Sequence, residues 1–134
     1  MSFTDYLENK LLDHVWGNTA YSAPTTLYIG LSTTTPTDSG GNITEPATGA
    51  YARVSVTNNT TNWPNASGGA KSNGVAITFP EATASWGTVT HFFIADTNSG
   101  FTNVIATGAL TASKTIDTGD TASFAIGDLD ITLD

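Results

Sequence analysis

VAITFPEATASWGTVTHFFIAD, residues 75–96, packs more apolar bulk into fewer residues than any other window of the chain. Two runs, 75–79 and 89–95, flank a connection carrying Pro80, Glu81, Ser85, Trp86 and Gly87. Val89, Phe92, Phe93 and Ile94 favour extended backbone, because branched and aromatic side chains pack well on a pleated surface. Side chains alternate along a strand, so Val89, His91, Phe93 and Ala95 share one face. Thr90, Phe92, Ile94 and Asp96 share the other. Each face holds an aromatic. The spacing therefore predicts a strand covered on both sides, by two layers of one domain or by one layer and a neighbouring subunit.

Towards the C-terminus, TNSG at 97–100 reads as a turn. It leads to a strand over 102–110 and a short edge strand over 113–117, where Lys114 and Asp117 discourage further pairing. Thr118-Gly119-Asp120 is a tight turn into a strand over 121–126. In the last strand, 129–133, Leu129, Ile131 and Leu133 alternate with Asp128, Asp130, Thr132 and Asp134, one face buried and one wet.

Towards the N-terminus, 58–74 is a long polar segment with Trp63-Pro64 standing alone in it. A Trp in such surroundings either plugs the core or contacts a partner. Residues 50–57 form a strand, and 33–49 form a second long loop. Residues 26–32 form a strand in which Leu27, Ile29 and Leu31 make an apolar face. Gly30 within it marks a close backbone approach or a missing side chain. Residues 4–16 are the one helix, with Leu7, Leu11 and Val15 at i, i+4 and i+8. Ser2 or Thr4 caps it, Asp5 and Glu8 lie near its positive end, and Gly17 stops it. About eight short strands with turns between them predict a mainly β chain. The expected architecture is an antiparallel β-sandwich or barrel with one N-terminal α-helix. It is expected to be one domain over 1–134, with the helix in 1–17 and the β-sandwich in 23–134.

Charged residues are 12% of the 134-residue chain, against roughly 25% in an average soluble domain. Twelve acids against four bases give a net charge of −8. Nucleic-acid and anionic-membrane partners are therefore not expected, since both need Lys and Arg to offset phosphate. There is no Cys, which excludes a disulfide framework and thiolate metal sites. No apolar run approaches the roughly 20 residues of a membrane span. MSFTDYLENK lacks the pattern of a signal peptide, so synthesis in the cytoplasm without secretory export is expected.

Chemistry is sparse. His14 lies at the margin of the helix stripe and His91 between Val89 and Phe93, which favours boundary and core or interface roles over catalysis. No nucleophile elbow, P-loop or dinucleotide fingerprint is present. No cofactor is expected. Asp117, Asp120, Asp128 and Asp130 are the best calcium candidates, though their spacing matches no calcium loop, and solvated aspartates are the simpler reading. Trp63, Trp86, Tyr51 and Tyr21 are the residue types that stack on sugar. They are also the types that anchor cores and interfaces.

The order of segments resembles a known group. YLENKLLDHV is followed by APTTLYIGLST, GAYARVSV, TNWP, KSNGVAITFPEATASWGTVTHFFIAD, GALTASKTIDTGD and DITLD. This is similar to small β-rich virion proteins of tailed bacteriophages and prophages, and the similarity runs through nearly the whole chain. The resemblance implies a non-enzymatic particle component. With no shaft repeat and no long trimerising helix, capsid decoration or cement on the outer particle surface is expected first. A tail fibre or tail-tip host-binding protein is the alternative, and a glycan-binding module is a third reading. A wall- or glycan-degrading enzyme is the rival class. The expected partners are further copies of the chain, a trimer before a dimer, and major capsid or tail proteins. Trp63 and Pro64 of the 58–74 loop, His91 and Phe93 of the central strand, and Leu7 and Leu11 of the helix are the expected interface residues.

Overall fold

A computed structural model describes residues 1–133. The chain is mainly β with one helix near its N-terminus, as the sequence leads one to expect. The elements in order are β1 (Ser2–Phe3), α1 (Asp5–Trp16), β2 (Thr26–Ser32), β3 (Val54–Thr57), β4 (Ala70–Ser72), β5 (Ile77–Thr78), β6 (Gly87–Ala95), β7 (Val104–Ile116), β8 (Ser123–Phe124) and β9 (Asp130–Thr132). Five of them form an antiparallel sheet in the order β1-β7-β6-β2-β3. The pairs β4–β9 and β5–β8 form two small antiparallel ladders. Asp134, expected to continue the alternation of the last strand, lies outside the described residues.

β6 is the centre of the sheet, paired on one side with β2 and on the other with β7. Its two faces are covered by different parts of the same chain. On one face Phe92 and Ile94 pack with Ile29 and Leu31 of β2, and with Trp63, Ile77, Phe79, Trp86 and Leu129 from the ladders and their connections. On the other, Phe93, Ala95 and Val104 pack against Ile43 of the 33–49 loop. The two-layer branch of the expectation is thus realised within one chain.

The strand does not alternate as a straight ladder would. Val89 pairs with Lys114, but His91 pairs with Ala109, so one residue of β6 faces four of β7. An odd shift of this kind turns the side chains beyond it to the opposite face. Val89 consequently joins the cluster of Phe92 and Ile94, not that of Phe93. The expected strands 102–110 and 113–117 are one strand, β7, carrying this irregularity. Other expected strands are shorter than their sequences suggest. Only 54–57 of 50–57, and only 77–78 of 75–79, lie in strands.

The two loops are ordered. In 33–49, Thr33 N–H donates to Thr44 O (2.9 Å) and Thr37 N–H to Gly41 O (2.9 Å). Gly40, with φ at +76°, lies against Val104 where a side chain would collide. The loop is therefore a lid on the second face of the sheet. In 58–74 the chain forms β4, which the sequence had not suggested. Gly68 and Gly69 both have positive φ, and Ser67 and Ala70 exchange two hydrogen bonds across them, the geometry of a tight hairpin turn.

Candidate assembly surfaces

The helix is fixed at its start. Thr4 is 1% exposed, and its hydroxyl donates to Val104 O while its N–H donates to Ile105 O (3.1 Å). That hydroxyl does not cap the helix, in contrast to the sequence expectation; no side chain caps the N-terminus. Leu7 is buried and Leu11 half-buried, so both interface candidates on α1 face their own domain. Val15, expected to complete the buried stripe, is 61% exposed. The helix touches the sheet only over its first two turns. Past Leu11 it leaves an outward stripe of Leu12 (54% exposed), Val15 and Trp16 (80%) at i, i+3 and i+4. Its flank is acidic, with Asp5, Glu8 and Asp13 against Lys10.

Trp63 and Phe93, expected at an interface, are buried within the chain itself. Trp63 is 3% exposed and packs in the main core, so it is the plug reading that the structure realises. Phe93 is fully buried, its ring against Gly30 and the guanidinium of Arg53. Pro64 is exposed beside the buried Trp63, its ring close to Gly74. His91 is half-buried, with Nδ1 2.8 Å from the Thr90 hydroxyl, where either can donate. His14 is exposed and lies 3.2 Å from Thr19 O.

Of the aromatics weighed for sugar stacking, Trp63 and Trp86 lie in the core and Tyr51 is half-buried against them. Trp86 is buried, donates from Nε1 to Gly49 O (2.8 Å) and meets Tyr51 edge-on at 5.2 Å. Tyr51 accepts from Leu31 N–H (2.9 Å) and donates to Glu45 Oε1 (2.7 Å). Burial, with the carboxylate of Glu45 alongside, pushes its phenol far above the ordinary value of 10.0.

Two of the four calcium candidates brace turns. Asp120 Oδ2 accepts from Asp117 N–H (2.8 Å), and Asp128 Oδ2 from Ala125 N–H (2.7 Å). Among the described residues no group of three or more His, Asp or Glu is placed to hold a metal. Among the described residues no helix is long and apolar enough to cross a membrane.

Two arrangements were invisible to sequence reasoning. Arg53 is 8% exposed and sits between the rings of Phe93 and Phe101, at 4.8 and 5.1 Å from their centroids. It donates to both oxygens of Glu45 and to the carbonyls of Thr97 and Gly100, clasping the 33–49 lid to the β6–β7 turn. The second is a groove of about 470 Å³ beside the irregular half of β7. Leu31, Val89, Leu110, Ile116, Ala122 and Phe124 form its apolar part, and Lys114 and Asp120 stand on its rim. It opens because β7 departs from β6 over 110–113 and because β1 pairs with β7 only at Ala106 and Thr107.

The geometry offers an apolar ridge, an apolar groove and ordered polar loops. No curated protein matches the chain. Residues 2–132 match the family model described as Podophage GP4 fiber I protein gp80. With all but its outermost residues matched, the chain belongs to that family of phage fibre proteins.

Proposed function

We propose that the protein is a non-enzymatic building block of a bacteriophage fibre, present in several copies and attached to other tail proteins of the virion. The observation that carries this reading is the family match over 2–132, whose description names a fibre. The same description favours the fibre over capsid decoration, the placement the sequence suggested first. The build of the domain supports a structural role. Its loops are tied down by hydrogen bonds, and Trp63, Trp86, Phe79 and Phe92 are committed to the core. The acidic surface suits a component that stays clear of packaged DNA. Self-association, with a trimer as the arrangement favoured from the sequence, is part of the proposal. The exposed ridge on α1 supports it, since large apolar side chains left outside one copy are the usual material of an interface.

The test is imaging of intact particles carrying an affinity label in the exposed 65–69 turn. Label confined to fibres is the expected result. Label spread over the capsid shell would restore the decoration reading, and turnover of purified peptidoglycan or capsule by the chain would replace the structural reading with an enzymatic one.

A further inference from the structure

We propose that the ridge Leu12, Val15 and Trp16 on α1 of one copy seats in the groove beside 110–116 of the next copy, head to tail. The proposal deepens the reading of the chain as a repeated fibre component and rests on it. The ridge cannot fill the groove of its own chain. Thr4 pins the start of α1 to Val104 and Ile105, and the segment after the helix returns to Thr26 at the start of β2. Both anchors lie at the end of the sheet where β7 begins, and the groove lies along the second half of that strand. One molecule thus carries a convex apolar element at one end and a concave apolar site towards the other, both without a partner among the described residues.

Charge bears on where a second copy docks. Two copies at −8 repel each other, so a contact between them forms where that repulsion is weakest. Of the four basic residues Arg53 is buried and paired with Glu45, Lys10 lies on the helix itself, and Lys71 is half-buried in β4. Lys114 stands exposed on the rim of the groove, and Asp120 opposite it has one carboxylate oxygen committed to the turn at Asp117. The rim thus carries one base and one acid, so it repels a helix of three acids and one base less than the rest of the acidic surface does, and Lys114 supplies a local attraction. Because ridge and groove are different patches, the contact is heterologous. It closes into a ring, a trimer being one such ring, or continues as a filament.

The absence of cysteine from the chain makes the contact directly testable in the full-length protein. Asp13→Cys places a thiol beside the ridge and Thr111→Cys places one on the groove rim; both positions are exposed. Mixing the two variants under mild oxidation should give a disulfide joining one of each, with neither variant cross-linking alone. Trp16→Ser should weaken association at least tenfold by native mass measurement while leaving the melting curve unchanged. Trp16 is the one exposed tryptophan of three, so its fluorescence should also lose iodide quenching as wild-type chains associate. A disulfide formed by Asp13→Cys alone would mean helix against helix and would overturn the proposal. So would a wild-type chain that stays monomeric at millimolar concentration, or multimers whose mass Trp16→Ser does not change. A Thr111→Cys thiol that cross-links in particles to a different polypeptide would assign the groove to that partner instead. Capsid labelling in the imaging experiment, with the mixed disulfide intact, would reject the fibre placement and keep the contact.

Discussion

Phe92 and Phe93 are neighbours in sequence, yet each ring lies over a glycine on a different strand and a different face. Phe93 covers Gly30 of β2, and Phe92 covers Gly108 of β7. A methyl group on Gly30 would lie 2.2 Å from Phe93 Cζ, and one on Gly108 would lie 2.6 Å from the ring of Phe92. The alternative reading of Gly30 as a mere missing side chain is thereby settled in favour of close approach. Gly30→Val should cost about 2 kcal/mol or more in denaturant unfolding, because the fully buried Phe93 has no free volume to enter. Trp63→Ala should cost about 3–5 kcal/mol, the price of a large core cavity. An unchanged melting temperature in that variant would return Trp63 to the surface. Tyr51 gives the domain an alkaline limit. Its raised folded value means that the neutral phenol is the form the fold accepts, so its contribution is complete below the ordinary value of 10.0 and declines as pH rises above it. Unfolding free energy should fall from about pH 10 upward, and Tyr51→Phe should flatten that part of the curve. Asn73, 1% exposed, was read only as part of a polar loop. Its side chain accepts from Leu129 N–H and donates to Val75 O and Ala125 O. Nothing in SNG announces this, because an Asn in a turn and an Asn in a core are the same letter until the strands around it are placed.

At the scale of elements, the sequence was most legible where apolar bulk repeats with a fixed period. β2 has the expected bounds, and β6 differs by two residues at its start. β1 and β4 were not legible, because Ser2–Phe3 and Ala70–Ser72 are strands only through pairing with distant β7 and β9. The joining of two expected strands into β7 was hidden for a related reason. The Thr111-Ala112 pair between them carries no apolar bulk to continue either strand, and only the register to β6 shows an extended strand with a long irregularity. The helix illustrates the limit of periodicity. The spacing of Leu7, Leu11 and Val15 identified the element correctly but placed the buried stripe one turn too far, since burial falls from Leu7 through Leu11 to an exposed Val15. Leu7→Ala should therefore destabilise by about 2–3 kcal/mol, and Val15→Ser should change stability by less than about 0.5 kcal/mol. Thermal unfolding of the two variants side by side checks the docking depth of α1. A large loss in Val15→Ser would show that the outer half of the helix is packed in the isolated chain.

At the scale of the whole molecule, the central strand is sealed on both faces by its own chain. The main core lies between the sheet and the two ladders, and the 33–49 lid, held by Arg53 and Glu45, closes the other side. Such a domain does not need a neighbour to complete its core. It should fold as a monomer and associate as a preformed body, unlike an interleaved shaft whose chains have no separate folded state. Dilution should then give monomers with the circular dichroism of the assembly. The melting temperature should rise with concentration only through the mass-action stabilisation of the associated state. Salt provides the discriminating measurement. Exposed charges interact over roughly 10 Å at 0.1 M salt and over roughly 3 Å at 1 M. Raising salt screens the mutual repulsion of chains at −8 more than it weakens the local attraction at Lys114, because the first sums over the entire surface and the second involves a few groups. Burial of Leu12, Val15 and Trp16 does not weaken with salt. Association followed by sedimentation from 0.05 to 0.5 M sodium chloride should therefore tighten. Dissociation into folded monomers at high salt would show instead that ion pairs, not the apolar ridge, hold the copies together. Dissociation accompanied by unfolding would show that the domain is incomplete without its neighbours.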